Sequence, residues 1–156
     1  MLPFNKWIEK NENALKCKPR TQRASYVEFF EGEFKGEKIP EFKRGEIYFA
    51  KLTDSAKLRP FLIYQNDYLN RACYEGLYHT VVVLPLSGQI LGGDYRILIK
   101  KRDLMSKDSE IVATAIGIIS TGKIVFSKGV VTVLNQKEMG MVDKAVMKVL
   151  GVCDAV

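Results

Sequence analysis

From Phe42 onward the chain is written in short runs of branched and aromatic residues separated by turn formers, and this rhythm limits the fold more than any other feature. The runs are Glu46 to Leu52, Pro60 to Gln65, Thr80 to Leu86, Tyr95 to Lys100, Ser109 to Ile119 and Val130 to Leu134. Branched and aromatic side chains suit a pleated, half-buried surface. Most of these runs are too short for an ordinary helix, so they predict strands. Tyr95 to Lys100 alternates by two, as a strand with one wet face does, whereas Thr80 to Leu86 is apolar almost throughout. Gly88, Gly92 and Gly93 mark a bend after the third run, and Gly122 and Gly129 flank another. The expected fold is mainly β, a compact barrel or sandwich.

The C-terminus breaks the rhythm. Met139, Val142, Val146 and Val149 follow helical spacing, with Lys137, Asp143, Lys144 and Lys148 on the other face. Asn135 stands where a helix takes its cap, with Glu138 three residues on to complete a capping box. Gly151 stands where a helix takes a left-handed stop. The apolar stripe reads as core, so this helix packs on the strands.

Residues 1–41 read as an N-terminal extension, and residues 42–156 as the domain. In the extension Phe4, Trp7, Ile8 and Leu15 share a helical face. A basic stretch with Lys16, Lys18, Arg20 and Arg23 follows. Then come Glu28, Glu31, Glu33 and Glu37 around Tyr26, Phe29, Phe30 and Phe34. Gly32, Gly36 and Pro40 disfavour a long helix there. A partly helical extension docked through its aromatics is expected; a basic arm for nucleic acid is the alternative.

No apolar run approaches the roughly 18 residues of a membrane span. Charges occupy the place where a secretory leader has its apolar stretch, so a cytoplasmic protein is expected. The three cysteines, Cys17, Cys73 and Cys153, are far apart and His79 is the one histidine, which argues against a structural zinc and for reduced thiols. No cofactor is expected. The net charge of +6 favours a polyanionic partner.

Four blocks, taken together and in order, resemble the MazF/PemK family of toxins. Lys43-Arg-Gly-Glu-Ile-Tyr-Phe-Ala50 is similar to the family's first strand. Leu58-Arg-Pro-Phe-Leu-Ile-Tyr-Gln-Asn-Asp67 is similar to its Arg-Pro signature. Thr80-Val-Val-Val-Leu-Pro-Leu-Ser-Gly-Gln-Ile90 resembles its third strand, which ends in a hydroxyl residue. Lys107-Asp-Ser109 and the last helix fall at corresponding places. The resemblance covers Phe42 to Gly151. It implies an SH3-like β-barrel of the CcdB/PemK type with a C-terminal helix, usually a homodimer. It also implies metal-independent cleavage of single-stranded RNA, and a cognate antitoxin covering the RNA channel.

Metal-free RNA cleavage needs the 2′-hydroxyl proton removed, charge on phosphorus stabilised and the leaving 5′-oxygen protonated. Without a histidine pair, a guanidinium must supply most of the electrostatic help. Arg59 matches the family's catalytic arginine, and Ser87 the hydroxyl residue that contacts the scissile phosphate. Asp54 orients Arg59 or takes a proton, or else simply forms a turn; Lys57 and Gln89 are RNA-binding candidates on the same rim. Asn66 and Asp67 are read as serving the turn after the second strand. The match departs from the family in a short Lys51–Leu58 loop, and where a Gln-Ile-Arg segment is replaced by Ala115-Ile116-Gly117. Lys123 and Lys101 are candidates to compensate for that missing arginine, a point the sequence leaves open. Two other readings stay open. One is a non-enzymatic, CcdB-like toxin that binds a protein through its last helix. The other is a degenerate member acting as a regulator or scaffold.

Overall fold

The computed structural model describes residues 38–53 and 57–152. Most of the N-terminal extension, Asp54, Cys17 and Cys153 lie outside the described residues.

Seven strands form one antiparallel sheet: β1 (Glu46–Ala50), β2 (Arg59–Ile63), β3 (Thr80–Ser87), β4 (Arg96–Ile99), β5 (Ser109–Val112), β6 (Gly117–Ser120) and β7 (Thr132–Val133). Their order is β4-β5-β3-β2-β1-β7, with β6 also paired to β3. Helix α1 (Asp67–Tyr74) joins β2 to β3, and α2 (Gln136–Leu150) ends the described chain. The outer strands β4 and β7 do not pair with each other, so the barrel is a curled sheet left open on one side.

The middle of the sheet is buried on both faces. Ile47, Leu62, Leu84 and Leu86 join one core with Ile97, Ile99 and Ile111 and with Val142 and Val146 of α2. The residues between them, Tyr48, Phe61, Ile63, Val81 and Val83, form a second core with Phe42, Cys73 of α1 and Ile124. Adjacent strand residues point to opposite faces. A strand covered on both sides therefore reads as an unbroken apolar run, as Thr80 to Leu86 does. Burial pushes the Cys73 thiol up from its ordinary value, and its Sγ donates to the Thr80 carbonyl, so it stays a packed thiol.

Strand β3 serves two neighbours on one edge. Its first half, Thr80 to Val83, pairs with β6, and its end, Leu86 and Ser87, pairs with β5. Pro85 stands at the changeover, between the last β6 pair and the first β5 pair. A proline inside a sheet is tolerated where no ladder N–H is required of it. The expected single strand from Ser109 to Ile119 is accordingly two strands, split by a 3-10 turn at Ala113–Ala115. The chain must leave one end of β3 and return along the other, and the small, fully buried Ala113 lets that corner sit in the core.

Arg44 ties the start of β1 to three other elements. Its Nε donates to the Tyr64 carbonyl at 3.0 Å, Nη2 to Asp143 of α2 at 2.5 Å, and its backbone N–H to Asp67 of α1 at 2.7 Å. Tyr64 donates its hydroxyl to the same Asp143 oxygen at 2.8 Å. Burial, and then that bond, push the Tyr64 pKa up to about 12, so it remains a donor. Gly45 follows at φ +92°, a left-handed turn that a side chain would strain. Helix α1 corrects the reading of Asn66 and Asp67 as turn residues. Asn66 caps the helix by accepting from the Leu69 N–H, and Asp67 is its first residue.

The cap of α2 is as expected. Asn135 accepts from the Glu138 N–H, Glu138 accepts from the Asn135 N–H, and Gly151 closes the helix at φ 66°. Glu138 also takes a two-pronged ion pair from Arg102, at 2.6 and 2.7 Å. Arg102 in turn holds the β7 residues Thr132 and Val133. Asn135→Ala is expected to lower the unfolding free energy by about 1 kcal/mol. Glu138→Ala should cost more, because it loses the Arg102 fork as well. Urea melts compare the two; equal losses would mean that the fork contributes nothing.

Candidate functional site

Arg59 opens β2 and Ser87 closes β3, and the pairing of those strands brings the two ends together. The register runs Phe61 opposite Pro85; continued two residues past that pair, it sets Arg59 opposite Ser87. Side chains on directly opposed positions start about 5 Å apart. Both residues line an open groove of about 470 Å³, together with Gly88, Gln89 and Ala115. Pro60, Pro85 and Leu86 make its apolar floor.

Arg59 is exposed, and its guanidinium makes no hydrogen bond or ion pair with a described residue. A guanidinium is a planar fork of donors matched to carboxylate or phosphate oxygens, so this one is open to an anion in the groove. The Ser87 hydroxyl is engaged in a turn. It accepts from the Gln89 N–H at 3.2 Å and donates to the Gln89 carbonyl at 3.4 Å. The second bond is long for O–H···O, so its proton is weakly held and free to swing to another acceptor. Gln89 is exposed on the rim. Lys57 is exposed just before β2 but does not line the groove.

The loop after Ser87 is held by a buried carboxylate. Glu110 lies opposite Ser87 in the β3–β5 pair and is almost fully buried. It accepts from the Leu91 N–H at 3.1 Å, from the Gly92 N–H at 2.8 Å and from Arg96 Nε at 2.5 Å. Arg96 also donates to the Gln89 carbonyl at 3.1 Å. One ion pair thus fixes both ends of the rim from Gln89 to Gly92. The Arg96 hydrogen bond, and next the Leu91 amide, hold the Glu110 carboxyl below its ordinary value of 4.5. Sequence reasoning passed over this pair, although the one charged residue of the Ser109 to Ile119 run, near its start, was a visible sign of it.

His79 has no part in this site. It precedes the first residue of β3 while Ser87 is the last, and eight residues of strand span about 26 Å. Ala115 lines the groove and brings no charge to it, and Gly117 is committed to pairing with Val83. Lys101 and Lys123 line neither this groove nor the cavity beside it.

The model of the PemK-like, MazF-like toxins of type II toxin–antitoxin systems matches residues 43–150. Among solved structures, an endoribonuclease in complex with its cognate antitoxin from a mycobacterial species superposes with a TM-score of 0.59 at 18% identity. That match covers 72% of this chain and 98% of the other. The Mycobacterium tuberculosis toxin MazF-mt6 gives 0.56 at 15% identity, over 68% and 96% of the two chains. A MazE–MazF structure from Deinococcus radiodurans gives 0.55 at 12% identity, over 72% and 98%. These likenesses establish the fold. No curated protein matches the sequence significantly.

A carboxylate whose pKa is lowered on folding stabilises the fold above its unfolded value and loses that contribution as pH falls through the folded one. The stability of the wild type should therefore decline below about pH 4.5, as Glu110 becomes protonated. Glu110→Gln should be less stable at pH 7 and show a shallower decline in that acid range. Thermal melts from pH 7 to pH 3 make the measurement, and parallel curves would overturn the clasp.

Proposed function

This chain belongs to the PemK-like, MazF-like toxins of type II toxin–antitoxin systems, and from that premise we propose that it is a sequence-specific, metal-independent endoribonuclease acting on single-stranded RNA. The observation that carries the reading is that the Arg59 guanidinium, with no partner among the described residues, lines one open groove with Ser87. A groove on a protein of net charge +6 suits a polyanionic strand, and equally an acidic antitoxin laid over the same face.

In the proposed reaction the ribose 2′-oxygen attacks the adjacent phosphorus and the bond to the 5′-oxygen breaks. The products are a 2′,3′-cyclic phosphate and a 5′-hydroxyl; the net proton movement is from the 2′-oxygen to the 5′-oxygen. Negative charge builds on the phosphoryl oxygens in between. Arg59 stabilises that charge through its fork, and Ser87, turning from Gln89, donates to one phosphoryl oxygen and keeps the attack in line. Gln89 faces a base edge, and Lys57 draws the strand toward the rim. Asp54 either orients Arg59 or accepts the 2′ proton.

Cleavage of a long single-stranded RNA in EDTA tests this reading, with products assayed for a 2′,3′-cyclic end. Wild type should cut, and EDTA should change nothing. Arg59→Ala should slow cutting by about 10²–10³, and Arg59→Lys should rescue little, since a point charge cannot reproduce the fork. Ser87→Ala should be milder, and Ser87→Thr should retain activity. If wild type leaves varied RNAs intact, the nuclease reading falls. The uncharged Ala115 in the groove would then favour a degenerate member kept as a regulator.

The active form is proposed to be a homodimer. Analytical ultracentrifugation over a concentration series should show dimer at micromolar protein, and monomer alone would overturn it.

A further inference from the structure

We propose that Lys107 is a second phosphate-contacting residue of the groove, supplying the positive charge that the Ala115-Ile116-Gly117 segment does not. The inference rests on the nuclease reading and names a residue to which that reading gives no role.

The Lys107 side chain lies directly over Gly88, the residue after Ser87. A β-carbon at position 88 would fall inside contact distance of Lys107 Cε and Nζ. Gly88 lines the Arg59–Ser87 groove, and it also lines the adjoining cavity of about 210 Å³ that Lys107 shares with Ser109 and Met105. Lys107 lines that cavity and not the groove itself, and its ammonium rests against Gly88, the wall that the two hollows share. It makes no ion pair with a described residue.

The backbone beneath this lysine is pinned. Asp108 accepts from Lys100 Nζ at 2.9 Å and from the Lys101 N–H at 2.8 Å, which closes the loop back onto the end of β4. Ser109 donates its hydroxyl to the Lys107 carbonyl at 3.3 Å. In the block Lys107-Asp-Ser109 the second and third residues thus hold the first in position. Arg96, the nearby cation on β4, is neutralised by Glu110. Among the described residues, the cations without an ion pair nearest this groove are Arg59, which lines it, and Lys107, which stands against the shared Gly88 wall. A phosphodiester bridging them would meet a planar fork on one side and a point charge on the other.

Gly88 provides a selective variant. It has no positive φ, so alanine suits its backbone, and the atoms a β-carbon would displace are the far end of a flexible side chain. Gly88→Ala should therefore push the ammonium aside without unfolding the protein.

Two measurements make the test. Binding of a mixed-sequence, fully 2′-O-methylated single-stranded RNA oligonucleotide is followed against salt, and cleavage of unmodified RNA is timed in EDTA. Lys107→Ala should lower the slope of log K against log salt by about 0.7, the share of one phosphate contact. It should slow cleavage by about tenfold to a hundredfold. Lys107→Arg should keep both, and Gly88→Ala should move both toward Lys107→Ala with an unchanged melting temperature. Lys144→Ala, on the outer face of α2, is the control. If Lys107→Ala matches that control while wild type cuts RNA, this inference falls and the nuclease reading stands. If the slope drops but wild type cuts nothing, the contact stands and the nuclease reading falls. If wild type neither binds nor cuts, both fall.

Discussion

The structure depends on β3 having neighbours everywhere. It is bonded to β2 on one edge and to β6 and then β5 on the other, and its side chains enter a core on each face. No residue of such a strand is fully exposed, so it is apolar nearly throughout and cannot slip by one residue without moving Val83 and Leu84 into each other's core. Its end is then placed as firmly as its middle. Ser87 inherits a position set by the burial of Val81, Val83, Leu84 and Leu86, and Arg59 inherits its own from the register with β2. The groove is the place where this well-buried ladder runs out into solvent.

The blocks that made the sequence recognisable divide the labour between scaffold and groove. Arg44 in the first block is wholly structural, spending its charge on Asp143 and its Nε on the Tyr64 carbonyl. In the second, Arg59 is exposed while Asn66 caps a helix whose first residue, Asp67, accepts from the Arg44 backbone N–H. In the third, Leu84 and Leu86 are core and Ser87 to Gln89 are rim. Two arginines thus do opposite things. Arg44, with a carboxylate opposite it, holds the fold, while Arg59 has no acidic partner among the described residues.

What was legible follows from what is local. Helix α2 could be read because its cap, its stripe and its stop all lie within its own residues, from Asn135 to Gly151. Helix α1 was missed, since its eight residues are short for a periodic signal and bury only Asn70 and Cys73. The division of Ser109 to Ile119 was hidden because Ala113 and its neighbours are ordinary in sequence; the corner is demanded by β3. The same holds at the groove. Arg59, Ser87 and Gln89 could be proposed from adjacent blocks, whereas Glu110, which holds the loop after Ser87, arrives from a distant strand. Charge alone pointed to Lys101 and Lys123, and neither reaches the groove.

The clasp on the groove has a consequence in time. A chain leaves the ribosome N-terminus first, at about 5–20 residues per second, so Ser87 emerges about one to five seconds before Glu110. Strands β2 and β3 can set Arg59 against Ser87 during that interval, but the loop beyond Ser87 then lacks the carboxylate that gathers its amides. Strand β7, which covers the edge of β1 at Glu46 and Ile47, comes later still. The groove reaches its final shape only after Glu110 and β7 have emerged, so a chain stalled before them carries the arginine without the rim that gives it a geometry.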